Sequence, residues 1–290
     1  MRKHYAVTEL CEIFEVSKSG YYKHASHQPS DREVENEAIL STILIIREEP
    51  FKDTYGSPRM TKELRKYGFY CSENRVARIM AKAQIDATAK AAFRPKTTIQ
   101  DTNAKASPNL IKDQESSQPG EIVISDITYI ATKEGWLYLA VIIDLFSRQV
   151  IGWHLADHMK TDLLIKAAEK AATHTPINKN TIFHSDRGSQ YTSKQMRKWL
   201  KTRKVKQSMS ALGYCYDNAA CESFFSTLKL ESFPEGCVFS TKSGARQQVF
   251  KYIETFYNRE RIHTSLGNLT PINFAKNYLN KQNQKLKSVA

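Results

Sequence analysis

Apolar positions recur with two different periods along this chain, and the change falls near residue 120. Before it the spacing is helical. VTELCEIF and SKSGYYKH read as two short helices around a turn over residues 5–24, with Ser17 placed to cap the second. A longer helix is expected over about 31–49. There Ser30 and Glu33 match a capping box, and Asp31, Glu33 and Glu35 suit the positive end of the helix dipole. A further pair is expected over about 57–67 and 73–84, divided by Gly68 and capped near Ser72. Residues 86–119 show neither period. Thr, Ala, Lys, Asn, Ser and Pro dominate them, and large apolar side chains are too few to offset the entropy of ordering, so they read as a linker.

From Glu121 the spacing shortens to the two-residue period of strands. Ile122–Ile130, Leu137–Asp144 and Gln149–Ala156 predict three strands with tight turns at Lys133–Gly135 and Phe146–Arg148. A helix over about 161–174 leads to the strand TIFHS, and another over about 192–203 leads to VKQSMS. After Gly213 a helical stretch opens in DNAACESFFSTLK, with Asp217 or Asn218 as its cap. A final helix over about 241–258 gathers Val249, Tyr252, Ile253, Phe256 and Tyr257 on one face. The chain is therefore α/β. Its expected divisions are a helical region at 1–85, the linker at 86–119, a sheet-based core at 120–235 and a C-terminal helical extension at 236–290.

Composition narrows the partner. The 290 residues are 41% apolar, enough for a core, and carry a net charge of +13, which suits a polyanion. Residues 1–120 hold 19 basic and 16 acidic side chains, a balance of +3; residues 121–290 hold 24 and 14, a balance of +10. The positive charge thus gathers on the sheet-based half. Five cysteines without a Cys-x-x-Cys pair point to a reduced, cytoplasmic chain. His154 and His158 lack a cysteine pair at zinc-finger distance, so no structural zinc is expected. The N-terminus has no signal-peptide core, and the longest apolar runs are too short to span a bilayer.

Three carboxylates then stand out. Asp126 closes the alternating run EIVISD, on the same strand face as Ile122 and Ile124, where a lone charge is costly unless a cation compensates it. Asp186 follows a short strand in TIFHSDRGSQYTS, at the end where α/β sheets put ligands, with His184, Arg187 and Gln190 beside it as candidate phosphate contacts. Glu222 shares a helix face with Asn218, Ser226 and Lys229, while Phe224, Phe225 and Leu228 take the core face. Carboxylates delivered from separate segments are what a pair of divalent metals requires for phosphodiester chemistry. Each also has a structural reading, as a buried ion pair, a turn or a surface pair. Asp144 ends an apolar strand too and is their rival.

DITYI, GWLYLAVIIDLFSR, HSDRGSQYTS, ESFFSTLK and YNRERIHTSLG, in that order, resemble the catalytic protein of a large group of bacterial insertion sequences encoded in two overlapping frames. This chain is similar to the second-frame product, and the resemblance places Asp144 in the family's DLFSR turn, a turn-forming role. The resemblance implies a ribonuclease H-like core, akin to the retroviral integrase catalytic domain, preceded by a helix-turn-helix-like region. It implies a DNA transposase that cleaves strands and transfers them, with Asp126, Asp186 and Glu222 as catalytic and metal-binding residues. Two Mg²⁺ ions, or Mn²⁺ in their place, would be the cofactor, with Asp126 bridging both. The implied partners are double-stranded DNA, further copies of the chain on that DNA and the upstream-frame product; no membrane is involved, and the location is the bacterial cytoplasm and nucleoid. Ala211 and Leu212 stand where the family usually has basic residues, which removes expected DNA contacts.

DNA contacts are sought among the basic residues. Seven of them and no acid lie between Lys194 and Lys206, including Lys194, Arg197, Lys198, Lys201 and Lys204. Such a run reads as a phosphate-binding face or as a solvated helix. Lys229, Arg259 and Arg261 join them as candidates. Arg75 and Arg78 read as the face of a DNA-contacting helix or of a small helical bundle. A ribonuclease H-like nuclease that cuts without joining, and a non-catalytic DNA-binding regulator, are the competing functions.

Overall fold

The computed structural model describes residues 6–26, 28–86, 107–112, 114–210 and 218–289. The chain divides into two units, residues 1–49 with 55–87 and residues 50–54 with 88–290. The first is all helical: α1 (Val7–Ile13), α2 (Lys18–Ala25), α3 (Asp31–Glu48), α4 (Ser57–Lys66) and α5 (Glu73–Lys82). Its helices start where their caps predict. Ser17 accepts from the Gly20 N–H, Ser30 and Glu33 form a reciprocal capping box, and Ser72 accepts from the Arg75 N–H. Ile39, Ile43 and Ile46 of α3 are buried with Met60 and Leu64 of α4 and Val76 and Met80 of α5.

The second unit is built on a mixed sheet. Its strands are β1 (Ile122–Thr132), β2 (Gly135–Asp144), β3 (Val150–Ala156), β4 (Ile182–Ser185), β5 (Lys206–Met209) and the short β6 (Val238–Phe239). The order is β3-β2-β1-β4-β5, with β6 also paired to β1. The first three form the expected antiparallel meander, and β4, β5 and β6 add in parallel. The expected five-stranded mixed sheet is present; β6, two residues long, is an addition that periodicity cannot detect. Asp144 makes the turn assigned to it, accepting from the backbone N–H groups of Gly120 and Ser147.

Two helices cover one face of the sheet: α6 (Thr161–His174) and, after the single turn α7 (Ser189–Thr192), α8 (Lys194–Thr202). Val123, Ala140, Phe183, Leu163, Ala167, Met196 and Leu200 meet there in one core. Gly152 on β3 lets α6 approach closely, since a Cβ at that position would lie 2.3 Å from the Ala167 carbonyl oxygen. Across the sheet lie α9 (Ala219–Ser232) and α10 (Lys242–Phe250), which continues as π-helix through Lys251–Tyr257. The last helix, α11 (Pro271–Val289), places Phe274 and Tyr278 against Phe146.

Both sheet edges are covered. On β3 the Asn258 amide accepts from the Val150 N–H and donates to its carbonyl, each at 3.0 Å, in place of a neighbouring strand. On β5 the Met209 N–H donates to the Pro108 carbonyl and the Leu110 N–H to Ser208 Oγ, while Ile111 is buried. Part of the stretch expected to be linker therefore packs as an edge segment. An uncovered strand edge and one well-placed isoleucine outweigh its polar composition.

Candidate active site

Residue 126 is where β1 loses its neighbour. The pairing with β4 runs from Ile122 opposite Ile182 to Ser125 opposite Ser185, after which β4 ends and β1 continues to Thr132. Asp126 and Asp186 are the next residues on the two strands, whose backbones in such a pair lie about 4.8 Å apart. Because the strands are parallel, both acids sit at carboxyl ends of the pairing, where the sheet opens. Side chains alternate along β1. Val123 and Ser125 face α6 and α8, so Asp126 faces the side that carries α9. That helix buries Phe224, Phe225 and Leu228 and leaves Glu222 exposed in its first turn.

The three acids act on one another. Burial pushes the Asp126 carboxyl up to about 7, the negative charges of Asp186 and Glu222 add to the effect, and hydrogen bonds from the Ile127 N–H (2.8 Å) and the Asn218 side chain oppose it. Burial also raises Asp186, against a bond from the Gly188 N–H at 2.9 Å. Among the described residues no three Asp, Glu, His or Cys side chains form a ready-made metal cage. The carboxylates lie within electrostatic reach of one another rather than at coordination distance. Their oxygens are the hard donors that Mg²⁺ or Mn²⁺ prefers.

Several neighbours have other roles than expected. His184 is fully buried, its ring nitrogens 2.8 and 3.0 Å from the hydroxyls of Ser208 and Ser210. Arg187 donates to the Ser210 carbonyl and Gln190 to the Met159 carbonyl. These bonds brace the Asp186 turn; His184 is closed off by burial, while Arg187 and Gln190 are half-buried. Asn218 stands at the N-cap of α9 but makes no side-chain cap bond. A buried chain that periodicity does not reveal supports β1 from behind. Ser125 Oγ donates to the Val141 carbonyl (2.9 Å), so the Tyr191 hydroxyl, 3.1 Å away and held protonated by burial, donates to Ser125.

Comparison with known proteins agrees with this geometry. Models described as an integrase core domain match residues 116–215 and 203–271, and one described as an HTH-like domain matches residues 34–93. Transposase InsF for insertion sequence IS3A of Escherichia coli is 37% identical over 93% of this chain and 94% of its own. This chain belongs to the IS3-family transposases. An insertion element IS600 31 kDa protein of Shigella sonnei is equally similar, at 37% identity over 93% of this chain and 98% of its own. Among solved structures, the HTLV-2 integrase catalytic core in complex with magnesium matches 55% of this chain and 99% of its own, at 15% identity and a TM-score of 0.41. Membership of that family makes the protein a DNA transposase, a polynucleotidyl transferase of the type that uses two aspartates and a glutamate. Among the described residues of the transposase, no helix is long and apolar enough to cross a membrane.

The basic candidates separate into two groups. Lys194, Arg197, Lys198, Lys201 and Lys204 are exposed along α8 and just after it, opposite buried Met196, Trp199 and Leu200. Arg261 belongs to the core. Its guanidinium makes three bonds of 2.8–3.1 Å to the carboxylate of buried Glu231, which also accepts from the Tyr252 hydroxyl. The expected DNA contact at Arg261 is therefore corrected to a buried ion pair. Arg75 is held by Glu35 and Asn36 within the helical unit, and Arg78 donates to the Asn74 carbonyl. Arg259 is exposed, with its Nε on the Glu254 carbonyl. Lys229 is half-buried, which holds its amine below the usual lysine range. Ala211 and Leu212 lie outside the described residues, as does Cys215; Cys11, Cys71, Cys221 and Cys237 form no disulfide.

Proposed function

We propose that Asp126, Asp186 and Glu222 are the catalytic and metal-binding carboxylates of this transposase, and that they hold two Mg²⁺ ions, with Mn²⁺ able to substitute. The observation that carries this is the Asp126 carboxyl, pushed up to about 7 by burial and by the two other acids. At that value the group is only partly ionised near neutral pH, and a cation beside it would favour its charged form. When bound, the ions supply Lewis acidity and an activated water for opening a phosphodiester. The chain's part would be to deliver its ligands from three elements: Asp126 from β1, Asp186 from the end of β4 and Glu222 from α9. The freed 3′-hydroxyl then attacks a second phosphodiester, so no Ser or Tyr nucleophile of the protein is required.

The DNA is double-stranded, the element's ends and its target, and the exposed basic face of α8 is the surface that holds its backbone. Lys229 and Arg259 are further contacts, and Arg75 and Arg78 serve the helical unit in the same way. Further copies of the chain and the upstream-frame product join it on the DNA, in the bacterial cytoplasm and nucleoid. The domain division at 1–85, 86–119, 120–235 and 236–290 is kept as the working description, with residues 107–111 assigned to the core.

The test is Asp186→Asn. Cleavage of element ends in Mg²⁺ should fall to background while affinity for the same DNA stays within a factor of about two. Cleavage at the normal rate would remove Asp186 from the site.

A further inference from the structure

The start of α9 brings a side chain to Asp126 that none of the three acids accounts for. Asn218 is only 7% exposed. It occupies the N-cap of a fourteen-residue helix, and an asparagine there ordinarily turns its side-chain oxygen onto a first-turn N–H. Here it makes no such bond, and its backbone, at φ −107° and ψ 13°, is not the extended conformation that caps adopt. Its side chain reaches Asp126 instead. A carboxylate only accepts, so the amide N–H₂ is the donor. The amide oxygen is then left buried without a hydrogen-bond partner among the described residues.

Each half of this arrangement costs something. Giving up a cap costs helix stability, and a buried carbonyl without a partner costs its lost hydration. Folding alone gains nothing from it, because Asn218 turned onto its own helix would satisfy both groups. What the arrangement achieves is a fixed Asp126. One of its oxygens accepts from the Ile127 N–H at 2.8 Å, and the Asn218 amide supplies a second donor. Two donors from different elements lock the rotation of the carboxylate, and they tie the start of α9, and so Glu222 one turn later, to β1. The free amide oxygen adds an acceptor beside the acids, suited to the hydrogens of a water held between them.

We propose that Asn218 is a positioning residue: by donating to Asp126 and leaving its own oxygen free, it holds the Asp126 carboxylate in the orientation that binds a divalent cation with Asp186 and Glu222. This rests on the reading of those three acids as metal ligands. In the sequence nothing hints at it, since an asparagine before a helix looks like a cap.

Asn218→Ser separates the two roles. Serine caps a helix as well as asparagine does but is too short to reach across to β1. The probe is Mg²⁺ alone, titrated against the melting temperature of the full chain without DNA, with half-saturation for end cleavage measured in parallel. For a residue orienting a metal ligand, loss of about 10- to 100-fold in metal affinity is expected. The metal-free melting temperature should be unchanged or higher, and the Mg²⁺ concentration giving half the stabilisation should rise at least tenfold. An unchanged Mg²⁺ midpoint in Asn218→Ser would overturn the proposal and leave the ligand assignment standing. No Mg²⁺-dependent stabilisation of the wild-type chain would overturn both. Should the serine variant fail to fold, Asn218→Thr provides the same comparison.

Discussion

At Asp126 a single carboxyl ties folding to pH. The ordinary aspartate value is 3.8, and burial with two neighbouring acids lifts the folded group to about 7. Below about pH 4 both states hold the proton and nothing is lost. Between there and about 7 the unfolded chain releases it while the folded chain does not, so stability falls as pH rises and then stays low. Each pH unit of that window corresponds to about 1.4 kcal/mol at most. Asp126→Asn should therefore melt several degrees above wild type at pH 8 without divalent metal, and at the wild-type temperature near pH 4. Calorimetry at the two pH values checks this; equal melting at both would mean the carboxyl titrates normally. Arg261 makes the opposite point about a charge. Removing it takes the guanidinium away from the buried Glu231 carboxylate, at a cost of about 3–5 kcal/mol. Arg261→Ala should lose that much in urea unfolding, while the folded variant keeps the wild-type salt dependence of DNA binding. In the sequence Arg261 stands among other basic residues, and nothing marks Glu231, thirty positions earlier, as its partner.

The same contrast holds for whole elements. Helix α8 follows its sequence: Ser193 caps it by accepting from the Met196 N–H, and the 3.6-residue period divides Met196, Trp199 and Leu200 from the lysines. Its exposed face is open to a direct measurement. Replacing Lys198, Lys201 and Lys204 with Ala should weaken binding to all DNA sequences alike. It should also flatten the plot of log affinity against log salt by up to about 0.9 for each phosphate no longer neutralised. A changed sequence preference at an unchanged slope would mean that these side chains read bases. The three acids are legible because each sits beside a recognisable strand or helix signal. The partners of the residues around them are not legible in sequence for a common reason. His184, Arg187 and Gln190 are polar and near Asp186 along the chain, but their partners lie on β5, after it and before α6, and polarity alone does not choose between a ligand and a brace. The edge segment at 107–111 escapes the pattern because its order comes from β5, to which it contributes only a few bonds and Ile111.

For the molecule as a whole, the chain does not change units once. Residues 50–54 are counted with the second unit although the first continues on both sides of them. Phe51 is buried and packs edge-on to Tyr252 at 5.3 Å and tilted against Phe256 at 5.1 Å. Phe51→Ala should therefore destabilise the second unit, by about 3–5 kcal/mol. Its three tryptophans, Trp136, Trp153 and Trp199, are the only ones in the chain, so their fluorescence during denaturant unfolding reports that unit. An unshifted transition would place Phe51 outside its core. By itself the sequence determined the elements with a strong period, most of their caps, the antiparallel meander and the choice of three candidate acids, because these depend on neighbours a few residues away and on which face meets water. The tertiary structure alone decided where β4 stops against β1, that Asn218 serves Asp126 before its own helix, and that Arg261 answers Glu231. Those outcomes depend on strand register and on packing between elements far apart in the chain, where a polar side chain takes whichever partner the fold brings within reach.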